Sequence, residues 1–185
     1  MARVTSLEPT VRELDVHVSA DGWDQPTRLF AIADTQLLIA REPALRAQLG
    51  SQAESAPWTT IEQEQLPPHA DLDELLRGLT WPESVEGVAV SAERVMVAPD
   101  AAGDLPSDPG LARLEAAGHP RRHELRVTMA VLRSGERCTV LRLREHDTPE
   151  SVVVGEELVS GLGDLLLHTL TREAGPITGR PYVQG

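Results

Sequence analysis

Between His123 and His146 the chain alternates apolar and polar residues in two runs, broken by Ser134-Gly135-Glu136. Leu125, Val127, Met129 and Val131 share one face of the first run. Thr139, Leu141 and Leu143 share the matching face of the second. A period of two marks strands with one buried side, and the glycine-centred break marks a hairpin turn. The other side is not uniformly polar, because Ala130, Leu132, Cys138 and Val140 fall on it. A helix or a partner is therefore expected to cover it.

Outside the hairpin the period changes. Leu7, Val11, Leu14 and Val18 recur at helical spacing and predict a helix from Glu8 to Ala20, with Ser6 as N-cap, Pro9 in the first turn and Asp21-Gly22 as the stop. Arg28 to Ala33 reads as a strand. Asp34 or Thr35 caps a second helix through Ala40, and Pro43 opens a shorter one ended by Gly50. Residues 51 to 57 read as a surface loop. Thr59-Thr60-Ile61-Glu62 has the form of a capping box and predicts a short helix stopped by Pro67-Pro68. Asp71 with Glu74 forms another box, opening a helix that carries Leu72, Leu75, Leu76 and Leu79. A strand follows from Gly87 to Ala98. Its valines, Val88 and Val90 against Val95 and Val97, fall in opposite phases, which predicts a bulge near Glu93-Arg94. Asp108-Pro109 caps a short helix to Ala117, Val152 to Val154 adds an extended segment, and Leu158 to Thr171 forms the last helix. This order lacks the alternation of a doubly wound sheet. The expected fold is a single α+β domain over residues 1–172. It has an antiparallel sheet of four or five strands, including the 123–146 hairpin, packed against the N- and C-terminal helices on one face. Residues 173–185 form a flexible tail.

Composition narrows the function. A net charge of -12 repels phosphate backbones. The arginines that could form a basic patch, Arg121, Arg122, Arg137, Arg142 and Arg144, alternate with Glu124, Glu136 and Glu145. That mixture reads as a solvated sheet face and predicts no nucleic-acid partner. No segment is apolar enough for a bilayer, and no signal core opens the chain, so a cytoplasmic protein without a membrane partner is expected. The chain contains no lysine, which excludes a Walker P-loop and Schiff-base chemistry. The single Cys138 forms no internal disulfide and is expected to be a small buried side chain.

Few residues then remain for chemistry. His119 and His123 are four apart, but Pro120 between them breaks the helical geometry that would bring them to a metal. His146-Asp147, at the hairpin exit, could serve as base and orienter, yet no activated nucleophile accompanies it. Most acids fall at helix starts, where they cap amides, and Glu13, Asp15, Glu156 and Glu157 read as solvated. Gly161-x-Gly163 lies within the last helix pattern and reads as close packing. Trp23 and Asp24 in the turn Gly22-Trp23-Asp24-Gln25-Pro26 either pin the first helix to the sheet or contact a partner. The candidate binding residues are Trp23, Asp24, Trp81, His146 and Asp147. No catalytic residue, metal site or cofactor is expected.

The stretch GWDQPTRLFAIADTQLLIAREPALRAQLG, the segment IEQEQLP and the hairpin RHELRVTMAVLRSGERCTVLRLREHD resemble an uncharacterised family of actinobacterial proteins of this size, with GWDQP the most recognisable part. The resemblance implies a cytoplasmic single-domain protein and brings no activity, cofactor or catalytic residue with it. The expected function is a non-catalytic binding or adaptor protein that self-associates or engages a protein partner through an open sheet face or edge. Two other readings are a small-molecule hydrolase using His146 and Asp147, and a ligand sensor with a pocket between the first helix and the sheet near Trp23 and Trp81.

Overall fold

The computed structural model of the protein describes residues 7–63, 66, 71–97, 103 and 118–172. Within them lie six helices, α1 (Glu8–Ser19), α2 (Thr35–Arg41), α3 (Leu45–Leu49), α4 (Gln52–Ser55), α5 (Leu72–Gly78) and α6 (Leu162–Thr171). Six strands, β1 (Arg28–Asp34), β2 (Trp58–Glu62), β3 (Gly87–Val97), β4 (Arg122–Leu132), β5 (Arg137–Leu143) and β6 (Val153–Gly155), form one antiparallel sheet in the order β2-β1-β3-β4-β5-β6. The α+β class and the hairpin agree with the sequence pattern; the sheet gains a strand over the expected four or five.

That additional strand is β2. Thr59-Thr60-Ile61-Glu62 pairs with β1, Ile61 opposite Ala31 and Thr60 opposite Ile32, and forms no helix. Three consecutive β-branched residues favour an extended backbone, and β1 offers an unpaired edge; together they outweigh the capping-box pattern. The expected bulge in β3 is also absent. β3 and β4 stay in unbroken register from Gly87 opposite Leu132 to Val97 opposite Arg122. The valines change phase without a bulge: Val88 and Val90 are buried on one face, Val97 is buried on the other, and Val95 is exposed.

The covering helices divide between the faces, which corrects the expectation that the first and last pack on the same side. α5 and α6 lie on one face, against Val88, Val90, Leu125, Val127, Met129 and Val131. α1 lies on the other, where Leu7, Val11, Leu14 and Val18 meet Phe30, Ile32, Ala89, Ala130, Leu132, Cys138 and Val140. Leu7, which precedes α1, and Val11, Leu14 and Val18 within it are almost wholly buried, and each burial contributes roughly 1.5–3 kcal/mol. The partly apolar outer side of the hairpin is thus covered by the chain's own first helix.

Local chemistry fixes the element ends. Asp34 caps α2 by accepting from the Leu37 amide, and Asp71 caps α5 by accepting from Asp73 and Glu74. At α1 the backbone N–H of Leu7 donates to the Glu136 carboxylate at 2.9 Å, so the hairpin turn caps the helix that lies over it. The expected cap Ser6, the helix at 108–117 and the tail 173–185 lie outside the described residues. α6 begins later than expected, after Gly161, which holds φ +79°. A Cβ at Gly163 would stand 2.7 Å from an Arg137 nitrogen and 2.8 Å from a Met129 methyl, as expected for close helix-sheet packing. At Gly87 the obstruction is stiffer, since a Cβ would meet the Val131 carbonyl oxygen at 2.7 Å and Leu132 at 2.7 Å. Gly87→Ala should therefore destabilise by about 1–3 kcal/mol, while Gly163→Ala, facing only flexible side-chain ends, should cost less. Urea unfolding of the two variants tests the order.

Cys138 sits under α1, and burial, helped by Glu8, pushes its thiol up to about 11. A thiol held protonated at neutral pH is a poor nucleophile. Ellman's reagent at pH 8 should label it only as the protein unfolds; rapid labelling under native conditions would contradict this burial.

Candidate functional site

A row of charged residues crosses the sheet beneath the C-terminal end of α1. Glu93 of β3 lies directly opposite Arg126 of β4, and Arg126 lies opposite Arg142 of β5. Like charges opposite one another are unfavourable on an exposed sheet. Here each guanidinium has its own carboxylate. Arg126 meets Glu93 at 3.0 Å, and Arg142 meets Asp15 of α1 at 2.6 Å and Asp147 at 3.0 Å. Arg126, Arg142 and Asp15 are buried.

The sequence pattern assigned Asp15 to a solvated face and the hairpin arginines to an exposed mixed-charge surface. The structure corrects the first for Asp15 and the second for Arg142, both buried, whereas Arg121, Arg122 and Arg144 are exposed as expected. Asp15 follows Leu14 and precedes Val18 by three, so it lies on the buried stripe of α1. Periodicity places a residue on a face whatever its polarity, and the sequence does not reveal which basic residue will meet it. Arg126 and Arg142 occupy the side that α1 covers.

The turn Gly22 to Pro26 closes over this row. The Glu93 carboxylate accepts from the backbone N–H groups of Asp24 and Gln25 at 3.0 and 3.3 Å. Arg126 donates to the Ser19 hydroxyl and to the Gly22 carbonyl. The Gln25 side-chain amide donates to the carbonyls of Val18 and Gly22. Trp23 lies across two guanidinia, 4.5 Å from Arg126 and 5.5 Å from Arg144, and its indole N–H donates to Asp147 at 2.8 Å. Asp24, at φ 64°, takes a left-handed conformation that Asp tolerates better than most residues. It accepts from both terminal nitrogens of Arg144 at 2.9 Å.

Three of the sequence candidates, Trp23, Asp24 and Asp147, thus converge. Trp81 stands on the opposite face, where its indole N–H donates to Thr169 of α6 at 3.0 Å. His146 ends an exposed 3-10 turn, Arg144–His146, and makes no hydrogen bond to a carboxylate among the described residues. A pocket joining Trp23 with Trp81 is ruled out by the sheet between them. The residues that sequence reasoning missed are Asp15, Glu93 and Arg126. Only the helical phase of Asp15 pointed to any of them.

The Trp23 N–H, and then Arg142, hold the Asp147 carboxyl below its ordinary value of 3.8, and Arg144 does the same for Asp24. Both Asp147 oxygens are occupied, one by each donor. A depressed carboxyl stabilises the fold fully above the unfolded value and loses that contribution as pH falls through the folded one. Acid titration should therefore show stability declining below about pH 4. Trp23→Phe, which removes the indole donor, should flatten that decline; an unchanged acid limb would contradict the assignment. No group of three or more His, Cys, Asp or Glu suited to a metal occurs among the described residues. No helix of the described chain is long and apolar enough to cross a membrane.

Fold and cluster together define an α+β protein whose antiparallel sheet lies between helices and whose first helix is locked down by a paired ionic row. The chain belongs to the PPA1309-like protein family, whose model matches residues 7–171. No curated protein and no solved structure matches it significantly.

Proposed function

We propose that this protein is a non-catalytic cytoplasmic binding module that engages another protein chain, and that the Trp23 turn is a structural lock. One observation carries the reading: the carboxylates gathered at the turn are already engaged by arginine, indole or backbone donors. Asp147, which a His146-Asp147 mechanism would need, is tied at both oxygens and turned away from base chemistry at neutral pH. The arginines of the row face inward to carboxylates, which leaves them poorly placed to hold phosphates.

Self-association through an open sheet face loses its basis, because α1 occupies that face. Partners are left with the sheet edges, β2 and β6. Affinity capture from native lysate with mass spectrometry, alongside sedimentation of the purified chain, tests the reading. A specific protein partner is expected. Hydrolytic turnover abolished by His146→Ala and Asp147→Asn, or the absence of any partner with a strictly monomeric chain, would overturn it.

A further inference from the structure

The geometry points to β2 as the docking edge: an extended segment of a partner protein, carrying a Lys or Arg side chain, adds along β2 beside α1. This rests on the binding-module reading and names its site and partner class. The backbone fixes the parity of the edge. The Thr35 N–H donates to the Pro57 carbonyl and the Gln63 N–H to the Leu29 carbonyl. With the β1–β2 register, these bonds turn Thr59 and Ile61 toward β1 and leave the N–H and C=O groups of Trp58, Thr60 and Glu62 facing outward. Those outward groups have no backbone partner among the described residues. A row of free backbone donors and acceptors is what strand addition uses.

The side chains of Trp58, Thr60 and Glu62 lie on the α1 side of the sheet. There a hollow of about 280 Å³ opens between α1 and the α3–α4 segment, lined by Thr10, Glu13 and His17 from α1 and by Gln52, Trp58 and Thr60. Trp58 lines this hollow, and its indole nitrogen is buried without a hydrogen-bond acceptor among the described residues. Buried donors in native folds are ordinarily paired, so a small turn of this ring on binding would let a partner carbonyl satisfy it. Charge selects the occupant. Glu62 is held by Arg28 at 2.6 Å, but Glu13 is exposed and makes no ion pair among the described residues. A free carboxylate on a chain of net charge -12 favours a basic side chain. A second copy fits less well, since its own edge strand, Trp-Thr-Thr-Ile-Glu, offers no basic residue.

Octapeptides of alternating Val and Thr, each with Lys, Arg, Gln or Glu at one central position, can be titrated into the nitrogen-15-labelled full chain. The Lys and Arg peptides are expected to bind, and to slow hydrogen exchange at Thr60 and Glu62 by about tenfold or more. Thr60→Pro removes an outward donor from an edge strand without touching the ladder to β1, and should abolish binding. Glu13→Gln should erase the preference for Lys and Arg over Gln. Trp58→Phe should weaken every peptide while leaving the melting temperature unchanged or higher. If Thr60→Pro fails to fold, the other two variants decide. No binding by any peptide, binding without protection of Thr60 and Glu62, or protection of those amides by a second copy or a metabolite instead would overturn the proposal. Partners captured from lysate equally well by Thr60→Pro and Glu13→Gln would sink this edge while leaving the binding-module reading intact.

Discussion

Arg142→Ala is expected to remove about 3–5 kcal/mol of folding stability, the loss typical of breaking a buried ion pair by deleting one partner. The side chains of Arg142 and Asp15 are 3% and 2% exposed, so water cannot replace the lost guanidinium. Asp15 already has one buried oxygen, Oδ1, without a hydrogen-bond partner. Truncating Arg142 would strand the other as well, and would cost Asp147 one of its two donors. The pair itself need not be strongly stabilising, because removing two charges from water offsets much of their attraction. Replacing both residues, Asp15→Leu with Arg142→Met, should therefore cost less than Arg142→Ala alone. Urea denaturation of the two single variants and the double variant tests this ordering. A loss below about 1 kcal/mol for Arg142→Ala would mean that the pair is solvated after all.

Arg126→Ala should cost nearly as much, about 3 kcal/mol, for a different reason. The Arg126 side chain is 1% exposed and acts as a brace. It joins β4 to Glu93 of β3, to Ser19 at the end of α1 and to the Gly22 carbonyl, and it carries the Trp23 ring on its face. Alanine would leave a cavity below the indole and a carboxylate without its cation. Arg126→Lys should recover only part of the loss, because an ammonium lacks the planar fork that serves several acceptors at once. Hydrogen exchange at Asp24 and Gln25 gives a local readout, since both amides donate to Glu93. Faster exchange at those two positions is expected in Arg126→Ala. Unchanged exchange together with an unchanged unfolding midpoint would show that the turn is held by other contacts.

These two experiments bear on the most recognisable words of the sequence. In the sequence, Trp23 and Asp24 beside a strand allow two readings, a pin for the first helix and a partner contact. Trp23 spans two arginines and Asp24 holds one of them, which is the arrangement of a pin. The pattern could not have named those arginines. Arg126 and Arg144 lie more than a hundred residues further along the chain, and only the β3–β4 register and the seat of α1 bring them under the turn. His146 and Trp81 were legible as residue types suited to a site. That the sheet separates Trp81 from the Trp23 turn was not legible, because strand phase specifies a side only after the covering layers are known.

What the sequence determined by itself was local and periodic: the helical stripe of α1, the alternation and turn of the hairpin, the acidic caps of α2 and α5, and the α+β class that follows from their order. Neighbour-to-neighbour sterics and capping set these features, and their signal lies within a few residues. Tertiary structure decided which helix lies on which face, whether Thr59 to Glu62 curls or extends, and which charges are buried. Those outcomes depend on competition for partners far apart in the chain. A free β1 edge captured a β-branched triplet from a capping motif, and α1 drew Asp15 onto Arg142 because its apolar stripe had to be buried somewhere.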